Sequence, residues 1–285
     1  MLDLNVIDDE TNSKLQSRRM AIEKAGRFGA KVAAATLPVV LTMLPRIVKA
    51  QTQSAVDVLN YALTLEHLEA SFYNIAIGNA SNIANGIGAV TLDANAKRIV
   101  DLIAAHETAH VKLLRDALVA ANALTAADPT VNTYDWTAKG NLGTDKGAAF
   151  ADQATFLTVA QAFEDTGVRA YKGRAGELVG DMTYLPIALS IHSVEARHAA
   201  AIRMLRGQKG WVTGGTSTSN GTPAFTNGVY AASATSPGED NTTQAGVDLK
   251  SLSALSTYSA GSLGEAFDEP LEPTTVLAIA GLFLK

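Results

Sequence analysis

Two short segments of the sequence place a glutamate three residues before a histidine. The segment HETAH holds Glu107 and His110, and the segment VEARH holds Glu195 and His198. Both segments lie where apolar residues recur at helical spacing, and residues three apart on a helix are neighbours on its surface. Each pair can therefore offer a carboxylate and an imidazole to one metal ion. Two surface ion pairs are the alternative that involves no metal.

Two further helical segments each carry a glutamate seven residues before a tyrosine. Glu66 precedes Tyr73 in EHLEASFY, and Glu164 precedes Tyr171 in EDTGVRAY. Seven residues make about two helical turns, so each glutamate shares a stripe of its helix with its tyrosine. The order of a single glutamate followed by Glu-x-x-His thus occurs twice. This repetition indicates two helical hairpins of similar design and an internal duplication.

Glu69 is a rival to Glu66, because both residues lie on the same stripe of the first helix. We favour Glu66, since only Glu66 repeats the spacing of Glu164 to its tyrosine. The position that corresponds to Glu69 in the later segment is Gly167. The sequence therefore leaves Glu69 open as a supporting residue or an additional ligand.

The composition limits what these side chains can bind. The chain of 285 residues has no cysteine, which excludes disulfides and leaves carboxylates and imidazoles as the strong metal ligands. Its formal charge of -5 and its lack of a basic run argue against a nucleic-acid partner. Four carboxylates in one core would repel one another, whereas two divalent cations would neutralise them. Oxygen ligands with one histidine per metal favour two iron or manganese ions, without a choice between these metals.

Apolar periodicity and helix-end signals predict four helices. The helices span residues 54–78, 93–123, about 148–176 and 186–207. Asp93 opens the second helix, Pro186 suits the first turn of the fourth, and Gly207 suits its end. A connection of about 24 residues between the second and third helices is long enough to cross a bundle from end to end. We therefore predict an all-α four-helix bundle over residues 51–207.

The composition of residues 208–285 differs from that of the predicted bundle, so we predict that they form a separate C-terminal extension. Glycine, serine, threonine and asparagine dominate the stretch GGTSTSNGTPAFTNG, which predicts a mostly irregular surface layer. Disorder is the alternative for the middle of this extension. The closing apolar patch predicts a short helix from Thr274 that is too short for a membrane span and docks on the bundle.

The first fifty residues have the order of regions of an export signal. The pair Arg18 and Arg19 in SRRMAIEKAG precedes an apolar run from Val32 to Leu44, and a small-residue ending closes at Ala50. This order resembles a twin-arginine signal. The resemblance implies a periplasmic protein whose mature chain has no transmembrane span. An amphipathic N-terminal helix is the alternative.

Over residues 54–207 the arrangement of glutamates and histidines resembles the ferritin-like di-iron or di-manganese carboxylate proteins. The resemblance implies that Glu66 and Glu164 are single carboxylate ligands, that Glu107 and Glu195 bridge the metals, and that His110 and His198 are the terminal imidazoles. The segments YALTLEHLEASFY and AFDEPLEPTTVLAIAGLFL are similar to those of the exported, desiccation-related ferritin-like family.

The expected partners are metal ions together with peroxide or dioxygen, and the sequence does not set whether the chain forms a homo-oligomer. The function implied is oxidation of ferrous iron, or reduction or disproportionation of peroxide. A non-catalytic stress protein stapled by its metal is the main alternative. Iron storage in a cage is a third hypothesis, which the long C-terminal extension disfavours.

The remaining histidines and arginines of the helices have simpler interpretations. We expect His67, His106 and His192 to be hydrogen-bonded or exposed rather than metal ligands, although His192 lies one turn before the predicted ligand Glu195. Arg169 and Arg197 are expected to be solvated or paired structurally. Tyr73 and Tyr171 are either core residues or hydrogen-bond partners of a ligand carboxylate.

Overall fold

Helices dominate the chain in the computed structural model, which confirms the all-α prediction. The structure describes residues 53–79, 87–130 and 133–285, and Gln51–Lys285 forms one compact unit. The predicted export signal over residues 1–50 lies outside the described residues. Within the described ranges, every helix is too short or too polar to cross a bilayer.

Four long helices form the bundle: α1 (Gln53–Ala76), α2 (Ala94–Ala120), α3 (Gln153–Ala175) and α4 (Tyr184–Leu205). Asp93 caps α2, as predicted, and Asp152 caps α3 by accepting a hydrogen bond from the Thr155 amide. The third helix was predicted to begin at about Ala148. It begins at Gln153 instead, because the Asp152 cap separates it from a 3₁₀ turn over Ala148–Phe150.

The end of α4 follows the sequence signal. Gly207 adopts a φ of +70°, a left-handed conformation that residues with a Cβ rarely adopt. Its amide donates to the Met204 carbonyl, and the Gln208 amide donates to the Arg203 carbonyl. These two bonds close the helix in the way that a glycine after the last turn permits.

Contacts between helix ends fix the direction of each helix. The Asn60 side chain, near the start of α1, bonds to the backbone of Ala123 and Thr125 just past the end of α2, so these helices are antiparallel. Asp93 and Gln153 bond to each other at the starts of α2 and α3, so these two helices run in the same direction. The connection between them must therefore return along the whole bundle, as its length predicted.

Two apolar clusters fill the two ends of the bundle core. The aromatic cluster centres on Phe72, against which the rings of Trp136, Phe150, Phe156 and Phe163 pack. The aliphatic cluster at the other end includes Leu59, Leu63, Leu114, Leu118 and Ile191. Along α1 the middle stretch between Leu63 and Phe72 lies between the clusters. This middle layer is where the charged side chains of the core lie.

The C-terminal tail, residues 208–285, is mostly irregular, as predicted. Its short elements are 3₁₀ turns at Ala224–Val229 and Leu249–Ser251, an antiparallel pair of strands β1 (Thr243–Gln244) and β2 (Val247–Asp248), and helices α5 (Ala260–Gly264) and α6 (Pro273–Ala280). The predicted final helix is thus present.

The tail docks on the bundle and on the long connection. Val276 of α6 is fully buried, and the Phe283 ring lies 4.7 Å from the Phe163 ring of α3, centroid to centroid. Tyr134 of the connection forms an isolated antiparallel bridge with Leu284. The tail therefore completes the aromatic end of the core.

Candidate metal centre

The structure brings all six predicted site residues together in the middle layer of the bundle. Each helix contributes from the face that the spacing predicted, and the six residues are Glu66, Glu107, His110, Glu164, Glu195 and His198. The four carboxylates have no exposed surface, and His110 and His198 are 8% and 4% exposed. Apolar clusters lie on both sides of this layer, so bulk water is kept from it.

The first half of the centre gathers around the Nδ1 atom of His110. The Oε2 atoms of Glu66 and Glu107 lie 3.1 and 3.2 Å from it, and Glu195 Oε1 lies 3.3 Å from it. These residues come from α1, α2 and α4. One ligand atom from each of the four residues lies within 4.8 Å of all the others, which is a spacing that one metal ion can bridge.

The second half gathers around the Nδ1 atom of His198. Glu107 Oε1 lies 2.9 Å from it, Glu164 Oε2 lies 3.3 Å from it, and Glu195 Oε2 lies 4.0 Å from it. The same limit of 4.8 Å holds for this group. Glu107 and Glu195 therefore belong to both halves, and each presents one oxygen to each histidine. That is the arrangement required of carboxylates that bridge two metals.

Two tyrosines hold the unshared carboxylates in a crossed pattern. Tyr171 of α3 donates to Glu66 Oε1 of α1 at 2.5 Å, and Tyr73 of α1 donates to Glu164 Oε1 of α3. Each tyrosine thereby leaves the second oxygen of its partner glutamate turned towards a histidine. Both tyrosines are thus hydrogen-bond partners of a predicted ligand carboxylate, which is one of the two alternatives that the sequence left open. Each of these bonds joins one hairpin to the other.

Comparison with known proteins agrees with this geometry. Residues 54–208 match the family model described as a ferritin-like domain, which is more than half of the chain. The chain belongs to the ferritin-like domain family. No curated protein matches the sequence significantly. The resemblance to the narrower desiccation-related family stays a prediction.

Burial and crowding shift the pKa values of this ferritin-like centre. Burial raises the pKa of Glu66 to about 8, and the Glu107 carboxylate adds to the rise. Burial and then Glu107 likewise hold the pKa of Glu195 well above its usual range. Burial alone would raise the pKa of Glu107 too, but the nearby imidazoles of His110 and His198 outweigh it and lower that pKa to about 2.

The pKa values of the two imidazoles in the ferritin-like centre are raised, whereas burial lowers the pKa of an isolated histidine. Burial opposes their charge, yet the close carboxylates of Glu107, Glu195 and Glu66 raise the pKa of His110 to about 12. The Glu164 and Glu107 carboxylates raise the pKa of His198 to about 9. Without a cation, the centre therefore balances its carboxylates with protons.

The donor set fits a pair of metal ions. Several fully buried ligand atoms have no hydrogen-bond partner among the described residues: Glu107 Oε1, Glu164 Oε2, both oxygens of Glu195 and His198 Nδ1. His198 Nδ1 lies close to carboxylate oxygens, but the angles are not those of a hydrogen bond. Buried polar atoms that converge without bonding to one another are what metal coordination would satisfy.

Sequence reasoning missed one residue of the ferritin-like centre. His106 Nδ1 lies 3.0 Å from His198 Nε2, and their rings stack with centroids 5.2 Å apart. His106 is exposed, as expected, but it contacts the outer nitrogen of a predicted ligand. Its position four residues before His110 was the available signal, since that spacing puts both on one helix face.

The other residues singled out in the sequence lie outside the two ligand groups. His67 lies 3.7 Å from Asp128, and His192 is half-buried on α4. Arg169 is buried and paired with Glu239 of the tail, whereas Arg197 is exposed. The pairing of Arg169 and the exposure of Arg197 agree with the expectation for the arginines. His67 and His192 were expected to be hydrogen-bonded or exposed, but neither is exposed, and His67 Nε2 and His192 Nδ1 are buried without a hydrogen-bond partner among the described residues.

Proposed function

We propose that this chain is an exported ferritin-like protein that binds two iron or manganese ions and acts on ferrous iron or peroxide. The observation that carries the proposal is the pair of ligand groups that share Glu107 and Glu195. Two separate sites would not need shared carboxylates. A shared pair would hold two cations close to each other, and two such cations would supply chemistry in which both change oxidation state.

Iron and manganese suit the donor set better than structural zinc. Each half offers one imidazole nitrogen and several carboxylate oxygens, and the sequence contains no cysteine. Hard oxygen-rich sites suit these redox-active ions, whereas structural zinc sites are usually rich in thiolate and imidazole. When bound, two such ions would supply or accept the electrons that ferrous iron oxidation or peroxide turnover requires.

The protein's own residues would position this chemistry. Tyr73 and Tyr171 fix the orientation of Glu164 and Glu66, so these carboxylates need not reorganise when cations bind. Phe72 of the aromatic cluster packs edge-on to the Tyr73 ring, 5.4 Å away, and holds it in place. The apolar clusters above and below the layer exclude water and strengthen the electrostatic binding of the cations.

Metal content and activity measured on one sample test the proposal. Protein purified without chelators should contain close to two iron or manganese ions per chain by elemental analysis. Glu164→Gln should lose metal together with ferrous oxidation or peroxide consumption, while its far-UV circular dichroism stays helical. Glu177→Gln, which removes one exposed carboxylate that pairs with Arg174, is the matched control and should behave like the wild type. Protein that is purified without metal, and whose stability does not change when iron or manganese is added, would rule out the dinuclear centre.

A non-catalytic role remains the alternative within the same family. The centre lies in the middle of the core and touches all four helices, so bound metal would join the two hairpins. Two tightly held metal ions that neither oxidise ferrous iron nor consume peroxide would favour this structural role over the enzyme.

Export through the twin-arginine route is the third part of the proposal. It rests on the order of regions in residues 1–50, and this route would suit a protein that acquires its metal before it leaves the cytoplasm. The protein recovered from the periplasm should begin just after Ala50. Changing Arg18 and Arg19 together to lysine should retain it in the cytoplasm, and unchanged export of that variant would contradict the assignment.

A further inference from the structure

Glu69 is a fifth buried carboxylate beside the ligand groups. It lies on α1, one turn after Glu66, and is only 5% exposed. It stands outside the two groups of four ligand atoms. The carboxylates that act on it electrostatically are, in order of strength, Glu195, Glu164, Glu107 and Glu66. Of the two ligands that belong to one half only, Glu164 of the His198 half acts on Glu69 more strongly than Glu66 of the His110 half, so Glu69 faces the His198 half.

Gly167 of α3 lies against the carboxyl group of Glu69. A Cβ at Gly167 would lie 3.4 Å from Glu69 Oε1 and 3.2 Å from Glu195 Oε2. Glu195 Oε2 is the oxygen directed to His198, whereas Glu195 Oε1 is directed to His110. The carboxylates of Glu69 and Glu195 therefore both lie against Gly167, on the His198 side of the centre.

Only one of the two duplicated hairpins carries this additional carboxylate. Glu66 and Glu164 correspond across the two hairpins, as do Tyr73 and Tyr171, with the same offset in sequence. With that offset, the residue equivalent to Glu69 is Gly167. One copy thus carries the carboxylate, and the other carries the glycine that lies against it. The two halves have matching ligands but unequal charge.

We propose that Glu69 is a fifth carboxylate of the centre that makes its two metal positions unequal, so that a divalent cation binds more tightly on the His198 side. The inference rests on the proposed dinuclear site and adds an order of loading to it. A cation entering first on the His198 side meets Glu69 in addition to Glu107, Glu164 and Glu195. The His110 side has no corresponding carboxylate, because Gly167 stands at the equivalent position.

Titration of the metal-free full chain with Mn²⁺ under anaerobic conditions tests this inference. Wild-type protein should bind two ions in two distinguishable steps. Calorimetry and the electron paramagnetic resonance of free Mn²⁺ measure these steps. Glu69→Gln keeps the size of the side chain and removes its charge. It should weaken the tighter step by at least about tenfold and leave the weaker step nearly unchanged. The same charge removal at the surface, Glu177→Gln, should change neither step.

A second variant tests the geometry. Gly167→Ala puts a methyl group against Glu69 and Glu195 Oε2, so it should also weaken the tighter step. Thermal unfolding of the metal-free proteins reports separately on folding, and Glu69→Gln should be at least as stable as wild type because a crowded carboxylate is gone.

The outcomes separate the two proposals. Wild-type protein that binds two Mn²⁺ ions in equal steps, or a Glu69→Gln isotherm identical to the wild-type one, would overturn the role of Glu69 and leave the dinuclear site intact. Wild-type protein that takes up no Mn²⁺, iron or other divalent ion would overturn the dinuclear site itself.

Discussion

At the level of single residues, a contact with His106 distinguishes His198 from His110, the other imidazole of the centre. To bind a metal through Nδ1, His198 would carry its proton on Nε2 and would donate it to His106 Nδ1, 3.0 Å away. The duplicated segment has Val194 at the position equivalent to His106. His106 therefore fixes the tautomer of one ligand only.

Replacing His106 by alanine should weaken metal binding without unfolding the bundle. The His198 ring would lose the partner that holds its tautomer and orientation, and such outer contacts typically contribute about 10- to 100-fold in metal affinity. Competition with a chromophoric chelator measures the change. His67→Ala removes a histidine of α1 that lies outside the ligand groups, and it should have no such effect. Equal affinities for both variants would contradict the positioning role.

Metal binding should release protons and strengthen as pH rises. The pKa of Glu66 is raised to about 8 and that of His198 to about 9, so the metal-free centre holds protons at neutral pH that a cation must displace. For each proton released, the apparent affinity rises about tenfold per pH unit. Calorimetry in buffers of different ionisation enthalpy counts these protons. Binding heats that do not depend on the buffer would contradict the displacement.

The six ligand candidates could be predicted because each is marked within its own helix. Glu-x-x-His and the seven-residue spacing of glutamate to tyrosine are visible in the sequence, as is the shared stripe of Glu66 and Glu69. The contact of His106 with His198 and the meeting of Glu69 with Gly167 are contacts between helices. They depend on the rotation and offset of packed helices, which periodicity alone does not determine.

Gly173 determines, at the level of elements, how closely the tail approaches α3. The Leu271 amide donates to the Arg169 carbonyl at 3.1 Å, which joins the tail to the last turns of α3. A Cβ at Gly173 would overlap the Leu271 carbonyl oxygen. The helix face is thus open to the tail only because this residue has no side chain.

Gly173→Ala should loosen the tail while the helices stay formed. The overlap involves backbone atoms that cannot rotate away, so we expect a loss of about 1–3 kcal/mol in the free energy of unfolding. Urea unfolding measures this loss, and limited proteolysis detects the freed tail. At Gly176 a Cβ would meet no described atom within 4 Å, so Gly176→Ala is the matched control. A tail equally resistant to protease in both variants would argue against this close contact.

The helices and their ends were predictable because their signals are local. Asp93 and Gly207 ended the predicted helices where the structure ends them. The start of α3 was misplaced, since residues near Ala148 have helical composition but form a 3₁₀ turn ahead of the Asp152 cap. The path of the tail was beyond prediction, because its irregular backbone is fixed by contacts with α3 rather than by its own periodicity.

Arg169 links tail and bundle at the scale of the whole molecule. Its side chain is 1% exposed, and its Nε atom lies 2.8 Å from Glu239 Oε1 of the tail. Its guanidinium also donates to four backbone carbonyls of the tail, those of Val229, Pro237, Glu269 and Pro270. One arginine of α3 therefore binds five residues of the tail.

Arg169→Met should destabilise the protein by about 3–5 kcal/mol, because it leaves the buried Glu239 charge without its cation. The double variant Arg169→Met with Glu239→Gln should recover part of this loss, since no lone charge remains. Urea unfolding of both single variants and the double variant gives the coupling between the two side chains. A double variant as unstable as the sum of the single ones would show that the pair is not coupled.

The contact between Phe163 and Phe283 also has a consequence during protein synthesis. These rings are separated by 120 residues in the sequence and meet at the aromatic end of the core. A ribosome that adds roughly 5–20 residues per second needs on the order of ten seconds to make that stretch. In the last part of that interval, after α4 is complete at Leu205, the nascent bundle still lacks the tail over its aromatic end, so the speed of translation sets how long this surface is open to chaperones and to aggregation.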